Sequence, residues 1–137
     1  MTLVDTGPLI GLFDPKDAAH EQCRQVLETL HEPLCTTIPV LTEAFHLLSP
    51  ESTGSNRLRD FIVQGGISVW FLNDHTLMRA FELMEQYADQ AMDLADATLV
   101  TAAEALNSRK VLTIHRRDFD RYRVKLGHRH VAFEVVP

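Results

Sequence analysis

Short apolar segments with strand character alternate with helical segments, and this alternation restricts the fold more than any other feature. The predicted strands cover residues 2–5, 34–37, 67–72, 110–114 and 131–136. The segments between them have the apolar periodicity or the opening residues of helices, over 9–13, 17–31, 39–48, 57–64, 75–88 and 94–107, with a polar loop at 51–56. Strands that alternate with helices form parallel sheets with helices on both faces. We therefore predict an α/β fold, a three-layer α/β/α domain with a central parallel sheet.

Size and composition fit one domain over residues 1–137. Hydrophobic residues make up 45% of the 137-residue chain, which is enough for a core and argues against disorder. No apolar run approaches the roughly 18–20 residues that span a bilayer, so we expect no membrane segment. Cys23 and Cys35 lack metal-ligand spacing. We expect them to be reduced thiols in a cytoplasmic protein.

Charge is distributed unevenly along the chain. The net charge is −6, but residues 1–108 carry −11 and residues 109–137 carry +5. This asymmetry suggests an acidic centre beside a basic rim that holds phosphates. A solvated basic tail explains the C-terminal charge equally well. The acidic balance of the whole chain argues against a protein that grips duplex DNA by charge alone.

Four acidic residues stand where strands or helices would direct them to one place. Asp5 closes the first predicted strand, Glu43 lies in an apolar helix, and Asp93 and Asp96 share one face at a helix start. Ligands of parallel sheets bind beyond the carboxyl ends of the strands, where Asp5 falls. Converging carboxylates repel one another, and a bound divalent cation is the usual remedy. Oxygen ligands favour Mg²⁺ or Mn²⁺ over zinc.

Each carboxylate also has an ordinary structural explanation. Asp5 could cap the helix that Pro8 opens, and Asp93 could be an N-cap with Asp96 in the first helical turn. Glu43 could simply face water. Their joint occurrence at the expected edge of the sheet is what favours a metal site. The chain has no zinc-protease motif, no Gly-rich phosphate loop and no serine-hydrolase motif.

The order of these motifs resembles that of the PIN domain family, especially the VapC-type toxins of prokaryotic toxin–antitoxin pairs. The matching segments span nearly the whole chain and are Leu-Val-Asp5-Thr-Gly-Pro-Leu-Ile-Gly-Leu-Phe, Thr36-Thr37-Ile-Pro-Val-Leu-Thr-Glu43-Ala, Leu94-Ala-Asp96-Ala-Thr-Leu-Val and Val111-Leu-Thr113-Ile-His-Arg-Arg-Asp118-Phe119. The resemblance implies a PIN fold and a Mg²⁺- or Mn²⁺-dependent ribonuclease. By this match Asp5, Glu43 and Asp96 are the core metal ligands, with Asp93 as a close companion. It also implies an RNA substrate, a small antitoxin partner and a homodimer.

One position departs from the family pattern. The family commonly has an acid two residues after the Thr of the last motif, where this chain has His115. Asp118 matches the family's frequent Asp-Phe pair instead. His115 could ligate Mn²⁺, bind a phosphate, or mark a weakened metal position. Thr113 is a candidate to bind a metal-bound water, and Arg116 and Arg117 are candidates to hold flanking phosphates.

Three functions therefore compete. Intact Asp5, Glu43 and Asp96 favour hydrolysis of RNA with the help of a cation. The alternative from another class is a PIN-like binding module with a degraded metal site, and His115 favours it. A phosphatase with Asp5 as nucleophile is the weakest interpretation, because such sites usually have a second acid two residues on, where this chain has Gly7.

Overall fold

A computed structural model describes the whole chain, residues 1–137. The strands are β1 Thr2–Val4, β2 Leu34–Thr37, β3 Ser68–Trp70, β4 Lys110–Leu112, β5 Arg123–Leu126, β6 Arg129–Ala132 and β7 Glu134–Val136. Five of them form a parallel sheet in the order β3-β2-β1-β4-β7. The other two, β5 and β6, form a separate antiparallel hairpin. The predicted α/β class with a central parallel sheet is confirmed.

The helices are α1 Thr6–Phe13, α2 His20–Thr29, α3 Ile38–Leu48, α4 Thr53–Val63, α5 Asp74–Gln86, α6 Leu94–Leu106 and α7 Arg116–Arg121, with a 3₁₀ turn at Ala88–Gln90. They flank the sheet and give the predicted three-layer arrangement. Helix α6 lies against β1 and β2 and is buried along most of its length. Its small alanine side chains let its backbone approach the sheet closely. No helix has the length and apolar character needed to cross a membrane.

Polar capping residues determine where several helices begin. Asn73 and Thr76 exchange two hydrogen bonds, of 2.8 and 2.9 Å, that satisfy free N–H groups at the start of α5. Ser52 accepts from the backbone N–H of Ser55 at 3.0 Å, so α4 begins at Thr53. The predicted polar loop at 51–56 is therefore wrong from Thr53 onward, because Ser52 caps the helix.

The C-terminal segment differs most from the prediction. The single strand predicted over 131–136 is wrong, because its first two residues belong to β6 while β7 pairs with β4. Gly127 has a φ of 65°, a left-handed conformation that permits the tight turn between β5 and β6. The sequence patterns do not reveal α7 and β5, which have six and four residues, because periodicity is indistinct in such short elements.

Four buried aromatic side chains attach this C-terminal segment to the core. We call Tyr87, Phe119, Tyr122 and Phe133 the aromatic cluster. Tyr122 meets Tyr87 and Phe119 edge-to-face, with centroid distances of 5.1 and 5.2 Å, and Phe119 meets Phe133 at 5.4 Å. Edge-to-face contact is a favoured geometry for aromatic pairs. The cluster therefore fixes α7 and the start of β5 relative to the rest of the molecule.

Glu104 fastens the hairpin to two helices. Its carboxylate accepts from Nε and Nη2 of Arg79 at 2.8 and 3.0 Å, and from the backbone N–H of Lys125 at 2.8 Å. A paired guanidinium and carboxylate of this kind is directional as well as attractive. Because Arg79 lies on α5, Glu104 on α6 and Lys125 on β5, the three elements are held together.

We predict that Phe119→Ala destabilises the protein by about 3–5 kcal/mol, because it removes a fully buried ring from the aromatic cluster. Phe71→Ala is the matched control, since that ring is 68% exposed, and it should change stability by less than about 0.5 kcal/mol. Urea denaturation measures both. Equal effects of the two substitutions would show that the cluster is not part of the stabilising core.

Candidate active site

All four acidic residues singled out in the sequence line one small cavity at the carboxyl edge of the parallel sheet. The cavity has a volume of about 190 Å³. Its acidic lining residues are Asp5, Glu43, Asp93, Asp96 and Asp118. They come from the end of β1, from α3, from the start of α6 and from α7. The parallel sheet thus brings together carboxylates that are far apart in the sequence.

The pairing of β1 with β4 fixes Asp5. The backbone N–H of Asp5 donates to the carbonyl of Leu112 at 3.0 Å, which continues the parallel ladder by one residue. One carboxylate oxygen accepts from the backbone N–H of Thr6, and the other from the hydroxyl of Thr113, both at 2.8 Å. Asp5 is therefore the cap of α1 and also lines the cavity, so its capping role does not exclude the predicted role as a ligand.

Burial raises the pKa of Asp5, and Asp93 adds to the rise, while the hydrogen bonds from Thr113 and Thr6 and the field of His115 oppose it. Asp5 is only 4% exposed. A carboxylate in this position is costly to ionise unless neighbouring donors or a cation stabilise its charge. Its two fixed hydrogen bonds supply part of that stabilisation.

The start of α6 is fixed by its own cap and by a contact with β2. Asp93 accepts from the backbone N–H of Asp96 at 2.8 Å, so it is the N-cap of this helix as well as a cavity residue. The hydroxyl of Thr98 donates to the carbonyl of Ala95 at 2.8 Å. Thr37, at the end of β2, is therefore the donor in its 2.7 Å hydrogen bond with Thr98. This link holds the acidic end of α6 against the sheet.

Asp96 is a strongly perturbed carboxylate of the cavity. Burial raises its pKa to about 7, and the nearby charges of Asp93, Asp5 and Asp118 add to the rise. A hydrogen bond from the hydroxyl of Tyr122 to Oδ2, at 2.8 Å, opposes it. The carboxylates of this cavity therefore resist simultaneous ionisation.

Glu43 approaches the cavity from α3 and remains partly in contact with solvent. Its pKa is raised by desolvation and by the charges of Asp93 and Asp5. The Thr6 hydroxyl lies close enough to lower this pKa, although no hydrogen bond of good geometry joins the two side chains. The Thr6 hydroxyl oxygen is buried without a hydrogen-bond partner, and Thr6 is one of the residues that line the cavity.

The remaining predicted residues are placed differently from one another. Thr113 binds Asp5 directly. His115 lines the cavity. Arg116 and Arg117 are exposed and do not line it. Arg116 instead donates to the carbonyl of Pro137 at 3.0 Å and lies 3.7 Å from the carboxylate of Asp120.

Two residues at the site were not among the predicted site residues. Asp118 lies one helical turn after His115 and borders the same cavity, so the i, i+3 spacing of the two was the available signal. Tyr122 is linked to Asp96 only through the fold, and no local sequence signal pointed to it.

No lysine or arginine forms an ion pair with the carboxylates of the cavity, since none of the seven ion pairs of the protein includes one of them. The donors to Asp5, Asp93 and Asp96 are neutral hydroxyl and backbone N–H groups. The carboxylate oxygens that line the cavity are ligands that fit Mg²⁺ or Mn²⁺. No group of three His, Cys, Asp or Glu side chains is already arranged to hold a metal ion. Some of these side chains would therefore have to rotate when an ion binds.

We predict that the metal-free protein loses stability as the pH rises from about 4 to about 7. The folded-state pKa of Asp96 is raised from 3.8 to about 7, so between these values only the folded state retains the proton. The stabilisation is complete below the unfolded pKa and is lost as the pH passes through the folded pKa. The full effect of this one group is at most about 4 kcal/mol. Asp5 and Glu43 act in the same direction.

Asp96→Asn should flatten this pH profile, because an amide does not ionise. Urea denaturation in EDTA across the pH range measures the effect. Asp60→Asn, which changes an exposed acid on α4, should keep the wild-type profile. An unchanged profile in Asp96→Asn would contradict the assigned perturbation of this carboxylate.

Comparisons with known proteins agree with this architecture. The family model of the PIN domain matches residues 2–125. The curated protein Ribonuclease VapC26 of Mycobacterium tuberculosis (strain ATCC 25618 / H37Rv) is 25% identical over 138 residues, which cover 98% of this chain and 99% of the relative.

Two solved structures share the fold. VapC20 of Mycobacterium tuberculosis, described as a toxin that cleaves the sarcin-ricin loop, has a TM-score of 0.74 at 17% identity and covers 81% of this chain and 87% of its own. A toxin–antitoxin complex from Klebsiella pneumoniae has a TM-score of 0.68 at 19% identity, with 88% and 92% covered. Since the family model extends over nearly the whole chain, this protein belongs to the PIN domain family.

Proposed function

We propose that the protein is a metal-dependent ribonuclease that hydrolyses phosphodiester bonds in RNA, and that it is the toxin of a toxin–antitoxin pair. The observation that carries this proposal is the convergence of carboxylates from separate segments on one cavity, where none of them forms an ion pair with lysine or arginine. The curated relative that aligns over almost the full length of both chains is named a ribonuclease, which supports the same activity.

Asp5, Glu43, Asp93 and Asp96 are the proposed catalytic and metal-binding residues, with Mg²⁺ or Mn²⁺ as the cofactor. A bound divalent cation supplies positive charge that acidifies water and offsets charge on the phosphate. The chain's own contribution is to present oxygens in defined positions. Thr113 and the Thr6 N–H hold Asp5, and the helical N-cap holds Asp93.

The raised pKa values of Asp96 and Glu43 belong to the metal-free cavity. A bound cation favours the ionised forms of its ligands, so uptake of Mg²⁺ or Mn²⁺ by these carboxylates would release protons. Asp5 is anchored by its two hydrogen bonds.

The basic C-terminal segment provides the proposed contacts to flanking phosphates. Six of its eight Lys and Arg side chains are exposed and form no ion pair, namely Arg109, Arg117, Arg121, Arg123, Lys125 and Arg129. Cations without an ion-pair partner attract a polyanion that an acidic centre alone would repel. Of the two arginines proposed from the sequence, Arg117 is the better candidate, because Arg116 already contacts Pro137 and Asp120.

We also propose an antitoxin protein and a second copy of this chain as partners. A fold neighbour described as a toxin–antitoxin complex supports the first. Several large apolar side chains are exposed, among them Val63 and Phe71, which are 79% and 68% exposed. Such residues are common in protein interfaces. A cytoplasmic location fits Cys23 and Cys35, which are both free thiols.

A binding module with a degraded site is the second candidate function. The observation that favours it is His115, an imidazole on the wall of an otherwise carboxylate-lined cavity. An imidazole brings less negative charge to a cation than a carboxylate does. Such a module would bind RNA or protein without cleaving it. Cleavage by the wild type, and its loss in the variant described next, decide between the two functions.

We predict that Asp5→Asn lowers RNA cleavage by at least about 10²-fold, the scale of losing one strong electrostatic contributor. The variant should fold, because the amide can still accept from the Thr6 N–H and can donate to the Thr113 hydroxyl. Cleavage of total RNA with Mg²⁺ or Mn²⁺ present measures activity, and circular dichroism measures folding.

Asp60→Asn is the control for this experiment, since it removes the same charge from an exposed surface. It should cleave at the wild-type rate. Near-normal cleavage by Asp5→Asn would reject the proposed site. A folded wild type that never cleaves RNA with either metal would instead support the binding module.

We predict that His115→Asp improves the reaction with Mg²⁺ more than the reaction with Mn²⁺. Mg²⁺ prefers oxygen ligands more strongly than Mn²⁺ does, so an enzyme with an imidazole in its metal site should favour Mn²⁺. The ratio of cleavage rates in the two metals, measured for both proteins on one RNA, checks this. An unchanged ratio would place His115 outside the metal site.

A further inference from the structure

The orientation of Asp96 is set by Tyr122, which lies between α7 and β5. The hydroxyl of Tyr122 donates to Oδ2 of Asp96 at 2.8 Å. A hydroxyl that donates to a carboxylate forms a charge-assisted hydrogen bond, which is stronger than one between neutral groups. Since Asp96 also borders the cavity, the bond leaves its other oxygen, Oδ1, for a ligand.

The ring of Tyr122 cannot move away easily. It is 1% exposed and meets Tyr87 and Phe119 edge-to-face on two sides. The bond between Glu104 and the N–H of Lys125 holds the chain three residues further on. The hydroxyl of Tyr122 is therefore delivered to Asp96 by a rigid support.

The ring contacts of Tyr122 need an aromatic side chain but not a hydroxyl. A phenylalanine would make the same edge-to-face contacts, and the hydrogen bond to Asp96 is what the tyrosine adds. Groups that orient a metal-binding side chain commonly matter for the affinity of the metal, although they do not touch it.

We infer that Tyr122 is a positioning residue for the metal site: its hydroxyl fixes the rotation of Asp96 so that Oδ1 faces the cavity. The inference rests on the proposed function, because it takes Asp96 as a cation ligand. It assigns to the aromatic cluster a role beyond stability, since the cluster places one hydroxyl. It also means that the positions of α7 and β5 affect the geometry of the metal site.

Tyr122→Phe tests this inference, with Tyr87→Phe as the matched control. Both substitutions remove one buried hydroxyl from the same aromatic cluster, but only Tyr122 contacts Asp96. We expect Tyr122→Phe to bind Mn²⁺ about 10–100-fold more weakly, the usual loss for an orienting partner. We expect Tyr87→Phe to bind Mn²⁺ as the wild type does. Titration calorimetry on EDTA-stripped, dialysed protein measures the affinity without any cleavage reaction.

Cleavage kinetics provide a second readout that a structural defect would not reproduce. Raising the Mn²⁺ concentration should restore cleavage by Tyr122→Phe, because only metal occupancy is impaired. In an Asp96→Ala background, the Tyr122 substitution should cause no further loss of Mn²⁺ affinity, since its target is gone.

Several results would overturn the inference. Equal Mn²⁺ affinity of the wild type and Tyr122→Phe, or equal losses in both tyrosine variants, would reject it and leave the proposed function standing. A further loss in the Asp96→Ala background would also reject it. A wild type that binds no Mn²⁺ would reject the metal site and this inference together, so the two failures are distinguishable.

Discussion

The site depends on the pairing of β1 with β4. Their register sets Val4 beside Leu112, so the next residues of the two strands, Asp5 and Thr113, emerge side by side at the edge of the sheet. A shift of one residue would turn the side chains of a strand to opposite faces and separate this pair. Because β1 is completely buried, its apolar side chains specify the register strongly. The packing that stabilises the core therefore also sets the relative positions of Asp5 and Thr113.

Repulsion among the carboxylates of the cavity is the second property that shapes the site. Asp5, Glu43 and Asp96 all have raised pKa values, and each receives part of the rise from another cavity carboxylate. No lysine or arginine side chain offsets this repulsion by forming an ion pair with a cavity carboxylate. It uses neutral donors that fix the directions of the carboxylates and leave most of their charge uncompensated. The proposed cation would therefore not have to displace an internal salt bridge.

The basic segment of residues 109–137, which includes α7 and the β5–β6 hairpin, contributes both the unpaired cations and Tyr122. The same hairpin and short helix therefore provide positive charge at the surface and an oriented hydroxyl in the interior. Glu104 and the aromatic cluster connect these features to α5 and α6. Asp93 and Asp96 lie at the start of α6. A displacement of the C-terminal segment would therefore shift these two carboxylates.

The sequence alone predicted the fold class, the positions of most elements and the four acidic residues that line the cavity. It could do so because the alternation of strands with helices, capping residues and acids at strand ends are local patterns. It also pointed to Thr113, although with a metal-bound water rather than Asp5 as the partner. Only the tertiary structure decided that Asp118 borders the cavity, that Arg116 turns away and that Tyr122 holds Asp96. The bond between Thr113 and Asp5 joins residues 108 positions apart. Contacts of this kind follow from strand order and packing, which no short stretch of sequence encodes.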